Sequence, residues 1–456
     1  MISILWIGLV FSGCAGLKPK HSVETTEIQT TEKMPPRRAL DHYIRALGYE
    51  DNRYYDGAIA EYRRALYFDP LSVELHMGAA RNYYIIESLD SASVEIRRVL
   101  DIEPGNEEAL AMLGNVLVGS NQWESAESVF KDLTQKNPES TTYCAHLAAI
   151  YLAVQKPDSA LSEYLRLYDL DGGNLQILDR AAGMMTMNNY FDQALTLYRK
   201  ILPFQPDNDR IIYSIGSVFL QLNNADSAVV YLENAYEKNP ANVQYRLALA
   251  FMYNRRGRYT EAENLLRGGL EIAPNDNRLM NVLGSVLQAQ QRYDEALEIL
   301  YKSIEIDSMN IQPYITIGFI YDEQHELEKA VNIYNRALKI DSTAALVLNN
   351  YAYLLAEAGL RLDEALKYSA KALELEPENP SYLDTMGWLL FKTGEYENGE
   401  VYMRKALEYD QNSIMYLHLG DILEKRGSLK EAEEIYRKGL ELEPDNIELK
   451  QRLEIQ

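Results

Sequence analysis

Small residues return down this chain with a period that leaves few folds open. Ala58, Ala92, Ala126, Ala160, Ala194, Ala228, Ala262, Ala296 and Ala330 stand 34 residues apart without a slip, and Ala365, Gly399 and Ala432 continue the series. A second register lies twelve positions upstream, thirteen in one unit: Ala46, Ala80, Gly114, Ala148, Ala182, Gly216, Ala250, Gly284, Gly318, Ala352, Gly387 and Gly420. Two antiparallel helices approach closely only where the crossing side chains are short, and a leucine there overpacks the contact by roughly 1–3 kcal/mol. Between the small residues the apolar spacing is helical. Leu110, Leu113 and Leu117 stand at i, i+3 and i+7, with Trp123 and Phe130 as bulk for the next helix.

The punctuation keeps the same period. Ser72, Asn106, Ser140, Asn174, Asn208, Asn242, Asp276, Asn310, Asn379, Asn412 and Asn446 sit where helix starts are expected, and only Ala344 breaks the rule. Their short oxygen-bearing side chains accept from the first free helical N–H groups. Prolines such as Pro70, Pro104, Pro138 and Pro206 stand two residues earlier and stop the preceding helix, having no N–H to donate. One unit gains a residue near Gly359–Arg361 and the next loses one before Ser413, so the register slips once and recovers.

A 34-residue unit of two helices with small residues at unit positions 8 and 20 resembles the tetratricopeptide repeat, from about Ala39 to Asn446. The resemblance implies an all-α, right-handed superhelical solenoid of about twelve helix-turn-helix repeats plus a C-terminal capping helix. The units read 39–72, 73–106, 107–140, 141–174, 175–208, 209–242, 243–276, 277–310, 311–344, 345–379, 380–412 and 413–446, with 447–456 as the cap. Most of the 34 tyrosines fall at structural places. Tyr83, Tyr151, Tyr253 and Tyr321 stand at unit position 11, and Tyr62, Tyr164, Tyr198, Tyr334 and Tyr436 at position 24.

The net charge of −23 argues against nucleic acid, because phosphates need a basic stripe. Residues 1–38 hold five basic and three acidic side chains, which leaves −25 on the repeats. The six histidines, His21, His42, His76, His146, His325 and His418, never pair at ligand spacing on one helix face, so no metal site is expected. Cys144 occupies a core-facing place and reads as an inert thiol. With neither a phosphate-binding glycine loop nor a Gly-x-Ser-x-Gly elbow, no enzyme, cofactor or small-molecule substrate is expected.

The amino terminus differs in kind. Met1 to Phe11 is almost wholly apolar and runs into Ser12-Gly13-Cys14-Ala15-Gly16. This resembles a bacterial lipoprotein signal, although Phe11 stands where leucine is usual and no Lys or Arg precedes the apolar run. The resemblance implies cleavage after residue 13 and lipidation of Cys14. Residues 14–38 then form a polar, Thr/Glu-rich disordered spacer. Two or more acyl chains hold a protein to a bilayer. In enterobacterial relatives of this signal class an aspartate after the cysteine retains the lipoprotein on the inner membrane; Ala15 and Gly16 stand there instead, so the resemblance implies the outer membrane of a Gram-negative-type bacterium.

In the tetratricopeptide family the first helices of successive repeats line a groove through unit positions 2, 5, 9, 12 and 13, where protein or peptide segments bind. Across repeats six to eight these positions hold no acid, and Arg210, Tyr213, Phe251, Asn254, Arg255, Arg278 and Asn281 make an expected donor-rich, partly aromatic floor. Further on, Phe319, Asn349, Tyr353 and Trp388 occupy lining positions, the indole as a contact or as filler. The reading is a noncatalytic, lipid-anchored scaffold for an envelope assembly, such as a pilus, secretion, polysaccharide-export or outer-membrane apparatus. Its alternatives are a cytosolic adaptor resembling a co-chaperone and an accessory subunit that presents substrate to an enzyme.

Overall fold

The computed structural model describes residues 36–454. Cys14, the apolar leader and the spacer to residue 35 lie outside the described residues. Among the described residues every regular element is an α-helix, and the chain divides into two compact units, one through Asp171 and one from Gly172 onward.

The first unit holds α1 (Arg37–Asp51), α2 (Tyr55–Phe68), α3 (Val73–Ile85), α4 (Leu89–Ile102), α5 (Glu107–Gly119), α6 (Trp123–Lys136), α7 (Thr141–Ala153) and α8 (Pro157–Leu170). The second begins with α9 (Leu175–Met187), α10 (Phe191–Ile201), α11 (Asp209–Gln221), α12 (Ala225–Lys238), α13 (Val243–Arg255), α14 (Tyr259–Ile272), α15 (Asn277–Ala289) and α16 (Tyr293–Ile306). It continues through α17 (Gln312–Glu323), α18 (Leu327–Ile340), α19 (Ala345–Glu357), α20 (Leu362–Leu375), α21 (Pro380–Thr393), α22 (Tyr396–Tyr409), α23 (Ser413–Lys425), α24 (Leu429–Leu442) and α25 (Ile447–Glu454). Odd-numbered helices up to α23 are the first, or A, helices of their pairs.

Helix starts follow the expected chemistry. Ser72 accepts from the Leu75 amide, Asn106 from Ala109, Asn208 from Ile211 and Asn412 from Met415, each satisfying a donor that the first turn leaves free. Ala344 starts α19 with no side-chain acceptor.

Within each pair the crossing is made by small buried residues. Ala46 and Ala58 share one core cluster of α1 and α2, and Ala148 of α7 and Ala160 of α8 are likewise fully buried. A methyl added to Gly114 would lie 2.5 Å from the Phe130 ring, so the glycine leaves room for the aromatic side chain of the facing helix. Tyr62, Tyr334 and Tyr436 are enclosed in the same layer, and the Tyr62 hydroxyl reaches outward to donate to Glu50 at 3.0 Å.

One regularity is invisible in the residue types. The turn inside each of the twelve pairs contains a residue in the left-handed region, with φ between +55° and +88°: Arg53, Glu87, Asn121, Gln155, Asn189, Asn223, Gly257, Gln291, His325, Gly359, Gly394 and Gly427. Eight of these are not glycine, so each bears a steric cost that the packing of its two helices overrides. At the inserted position Arg361 also has φ +47°.

Candidate functional site

The A helices α13, α15, α17, α19, α21 and α23 touch in succession, which makes one surface of their lining positions. The residues expected to bind on it fare differently.

In repeats six to eight most of the expected donors already have protein partners. Arg210 is exposed but grips Asp179 of α9 with both terminal nitrogens, at 2.5 and 3.1 Å. Arg278 folds back on Asp276, the acid that caps its own helix, at 2.6 Å. That hydrogen bond, outweighing burial, holds the Asp276 carboxyl below the ordinary carboxylate range. Asn281 turns its Oδ1 to the buried Ser303 hydroxyl of α16 at 2.7 Å. Tyr213 stacks on Tyr245 at 4.7 Å and accepts from Gln244 at 3.1 Å.

Arg255 is the exception. It is exposed, no acid among the described residues pairs with it, and its guanidinium stands over the Phe251 ring at 6.0 Å. Phe251 is 48% exposed, and the neighbouring Asn254 has a buried Oδ1 without a hydrogen-bond partner.

In repeats nine to twelve the surface is aromatic and acidic. Phe319 on α17 is 39% exposed. Asn349, Tyr353 and Glu357 follow one another up one face of α19, four residues apart. Burial, then the charges of Glu357, Asp384 and Asp322, raise the Tyr353 phenol above its ordinary range. Trp388 is only 7% exposed. Its ring is sandwiched between His418 at 4.1 Å and Phe391 at 4.7 Å, and its Nε1–H donates to Glu357 at 2.5 Å. It therefore joins α19, α21 and α23 rather than offering a free indole face.

Sequence reasoning passed over two acids and a histidine here. Asp384, one turn before Trp388, is buried and accepts from the Nδ1–H of buried His418 at 3.0 Å. Glu357 serves both Trp388 and Lys392, the latter at 3.5 Å. Unit positions 5 and 13 carry Asp384 and Glu357, so the lining register contained the signal. His418 reaches Trp388 only through the stacking of one repeat on the next.

Cys144 lies buried on α7, its thiol donating to the backbone carbonyl and carboxylate of Glu163, each at 3.2 Å. Burial, then the Glu163 hydrogen bond, pushes the thiol up to about 12. Among the described residues no group of three His, Cys, Asp or Glu side chains could hold a metal ion, and no helix is long and apolar enough to cross a membrane.

Models of the tetratricopeptide repeat match residues 87–150, 219–284, 276–343, 380–413 and 414–446, together more than half of the chain. A TPR repeat-containing protein of Pseudomonas aeruginosa is 36% identical over 77 residues, 17% of this chain and 13% of that protein. The type IV pilus assembly protein PilF of the same organism is 27% identical over 160 residues, 34% of this chain and 62% of that protein. The cellulose synthase 2 operon protein C of Komagataeibacter xylinus is 24% identical over 207 residues, 41% of this chain and 16% of that protein. The matched stretch is thus less than two thirds of each of these relatives. Among solved structures, the APC/C hetero-tetramer Cut9-Hcn1 aligns with a TM-score of 0.48 at 11% identity, over 92% of this chain and 97% of that one. Yeast Tom70 aligns with a TM-score of 0.45 at 17% identity, over 91% and 94%. The repeat matches and the paired helices agree, and the chain belongs to the tetratricopeptide repeat family.

Proposed function

We propose that this scaffold is tethered to a bacterial cell envelope through lipidated Cys14, at the outer membrane, and holds components of an envelope assembly on its A-helix surface. The observation that carries the binding reading is the group at the end of α13. Exposed Arg255 without an acid and the exposed Phe251 ring form a small cationic and aromatic landing place, whereas the other arginines of the expected floor, Arg210 and Arg278, are already paired. Such a group suits a carbonyl or carboxylate flanked by an apolar side chain. The envelope reading is supported by the apolar leader ending at Cys14. It is also supported by similarity to a protein named for type IV pilus assembly and to one named for a cellulose synthase operon.

Two experiments test the two halves. Metabolic labelling with a fatty acid should mark the wild type and not Cys14→Ala; no label in either form overturns the anchor and leaves a soluble adaptor. Crosslinking in the native cell, followed by mass spectrometry, should recover a partner peptide joined near α13. Arg255→Glu should lose that crosslink with helical content unchanged, and an unaltered crosslink removes α13 from the binding surface.

A further inference from the structure

Two lining acids elsewhere on the second unit have cations of their own: Asp179 of α9 has Arg210, and Asp421 of α23 has Arg452 of α25 at 2.8 and 3.0 Å. Between α17 and α19, which touch, the match fails. Asp322 is partly buried with no ion pair among the described residues. Burial, then repulsion from Glu323 and Glu357, lifts its carboxyl above the ordinary range, with His325 alone acting the other way. Asn349, next along the face of α19, is 6% exposed and its Oδ1 has no hydrogen-bond partner. The Phe319 ring lies one turn before Asp322, exposed. Asp322 brings negative charge, Phe319 an aromatic face and Asn349 a buried acceptor oxygen. A half-buried carboxylate without a cation and a buried acceptor without a donor are both costly. The group that answers the Asp322 charge is a cation with several N–H donors, seated against the Phe319 ring.

We propose that the α17–α19 face, around Phe319, Asp322 and Asn349, receives an arginine or lysine side chain from a basic segment of the partner protein. The proposal rests on the reading of the A-helix surface as a binding surface and adds the chemistry of what binds there. With acceptors here and the Arg255 group two repeats earlier, the surface sets a direction for an extended segment, its cationic side chains toward α19 and a carbonyl or carboxylate toward α13.

The test is fluorescence anisotropy with the full chain and two labelled peptides of Gly/Ser sequence, one carrying two arginines and the other two citrullines. The arginine peptide should bind and the citrulline peptide should not. Asp322→Asn and Phe319→Ala should each weaken binding about tenfold or more, with helical content and melting unchanged. Asp101→Asn, an exposed acid of the first unit, should leave binding intact. Equal weakening by Asp101→Asn, or none by Asp322→Asn, shows only diffuse attraction to a chain of net charge −23 and overturns the proposal. Absence of binding overturns it too, as does spermine displacing the peptide at equal concentration, which marks a site for small polyamines. Arg255→Glu should not affect the arginine peptide. Loss of the native crosslink with retained peptide binding would therefore count against the α13 group alone.

Discussion

Gly387 and Gly399 face each other across the α21–α22 crossing so closely that a methyl on Gly399 would come within 2.9 Å of the Gly387 carbonyl oxygen. At most other crossings a buried alanine fits in the same places. Here the backbones themselves make the contact, and no flexible side chain can yield.

Gly399→Ala should therefore destabilise the second unit by about 1–3 kcal/mol, the usual cost of overpacking, although alanine is the better helix former. The reverse change at an ordinary crossing, Ala296→Gly, should cost only about 1 kcal/mol through helix propensity. Urea denaturation followed by circular dichroism checks both. A Gly399→Ala protein as stable as wild type would mean that α21 and α22 are farther apart than described.

Left-handed turns make the opposite prediction. Gln155 holds φ +58° in the α7–α8 turn and Glu87 holds φ +60° in the α3–α4 turn. Replacing either with glycine relieves a conformational cost of about 1–2 kcal/mol, partly offset by the greater freedom of glycine in the unfolded chain. A net gain of about 0.5–1 kcal/mol is expected, read as a higher denaturation midpoint with an unchanged slope.

His146 gives the first unit an acid-sensitive element. The imidazole stacks on Phe130 at 4.6 Å, and burial pushes it down to about 4. The unfolded chain binds this proton near pH 6.5 and the folded chain does not until about pH 4. Stability should then be full above pH 6.5 and fall as the pH drops toward 4, by at most about 3 kcal/mol. His76 acts in the other sense. Burial lowers its affinity for a proton, but hydrogen bonds to Glu95 and the Pro70 carbonyl outweigh that and raise it. Its contribution is present below the unfolded value and disappears as pH rises through the folded one. Thermal melts from pH 4 to 8 should lose the steeper acid limb in His146→Leu and keep it in His76→Gln.

Cys144 should resist thiol reagents until the protein unfolds, because the thiol is buried, donates to Glu163 and is pushed up to about 12. Maleimide labelling across a urea titration should track the loss of helix. Fast labelling of the native chain would show that α7 and α8 open locally.

What could be read in the sequence was whatever rests on local rules. Small residues at crossings, asparagine at helix starts and proline before them each follow from sterics or hydrogen bonding within a few residues, so Ala58, Gly114 and Asn106 are legible without coordinates. The turn residues are not, because nothing in Arg53 or Gln155 announces a left-handed conformation; the closure of two packed helices imposes it. The surface was legible only as a register. Unit position 9 drew attention to Trp388, yet the ring is covered by His418, a residue from the following repeat. Asp276 stands two residues from Arg278 and its pairing could have been suspected. Asp179, 31 residues before Arg210, becomes a neighbour only when repeats stack.

Ala344 starts α19 without a capping side chain, whereas Asn379 and Asn412 secure the next two A helices. In a linear stack each pair is braced only by its neighbours, so the segment from α19 to the C-terminus is the natural candidate to exchange its amide protons as a single block. The acceptor patch on α17 and α19 straddles this weak joint. A guest that bridges the two helices would fasten it, and its arrival should be visible as slowed exchange far along the chain from where it sits.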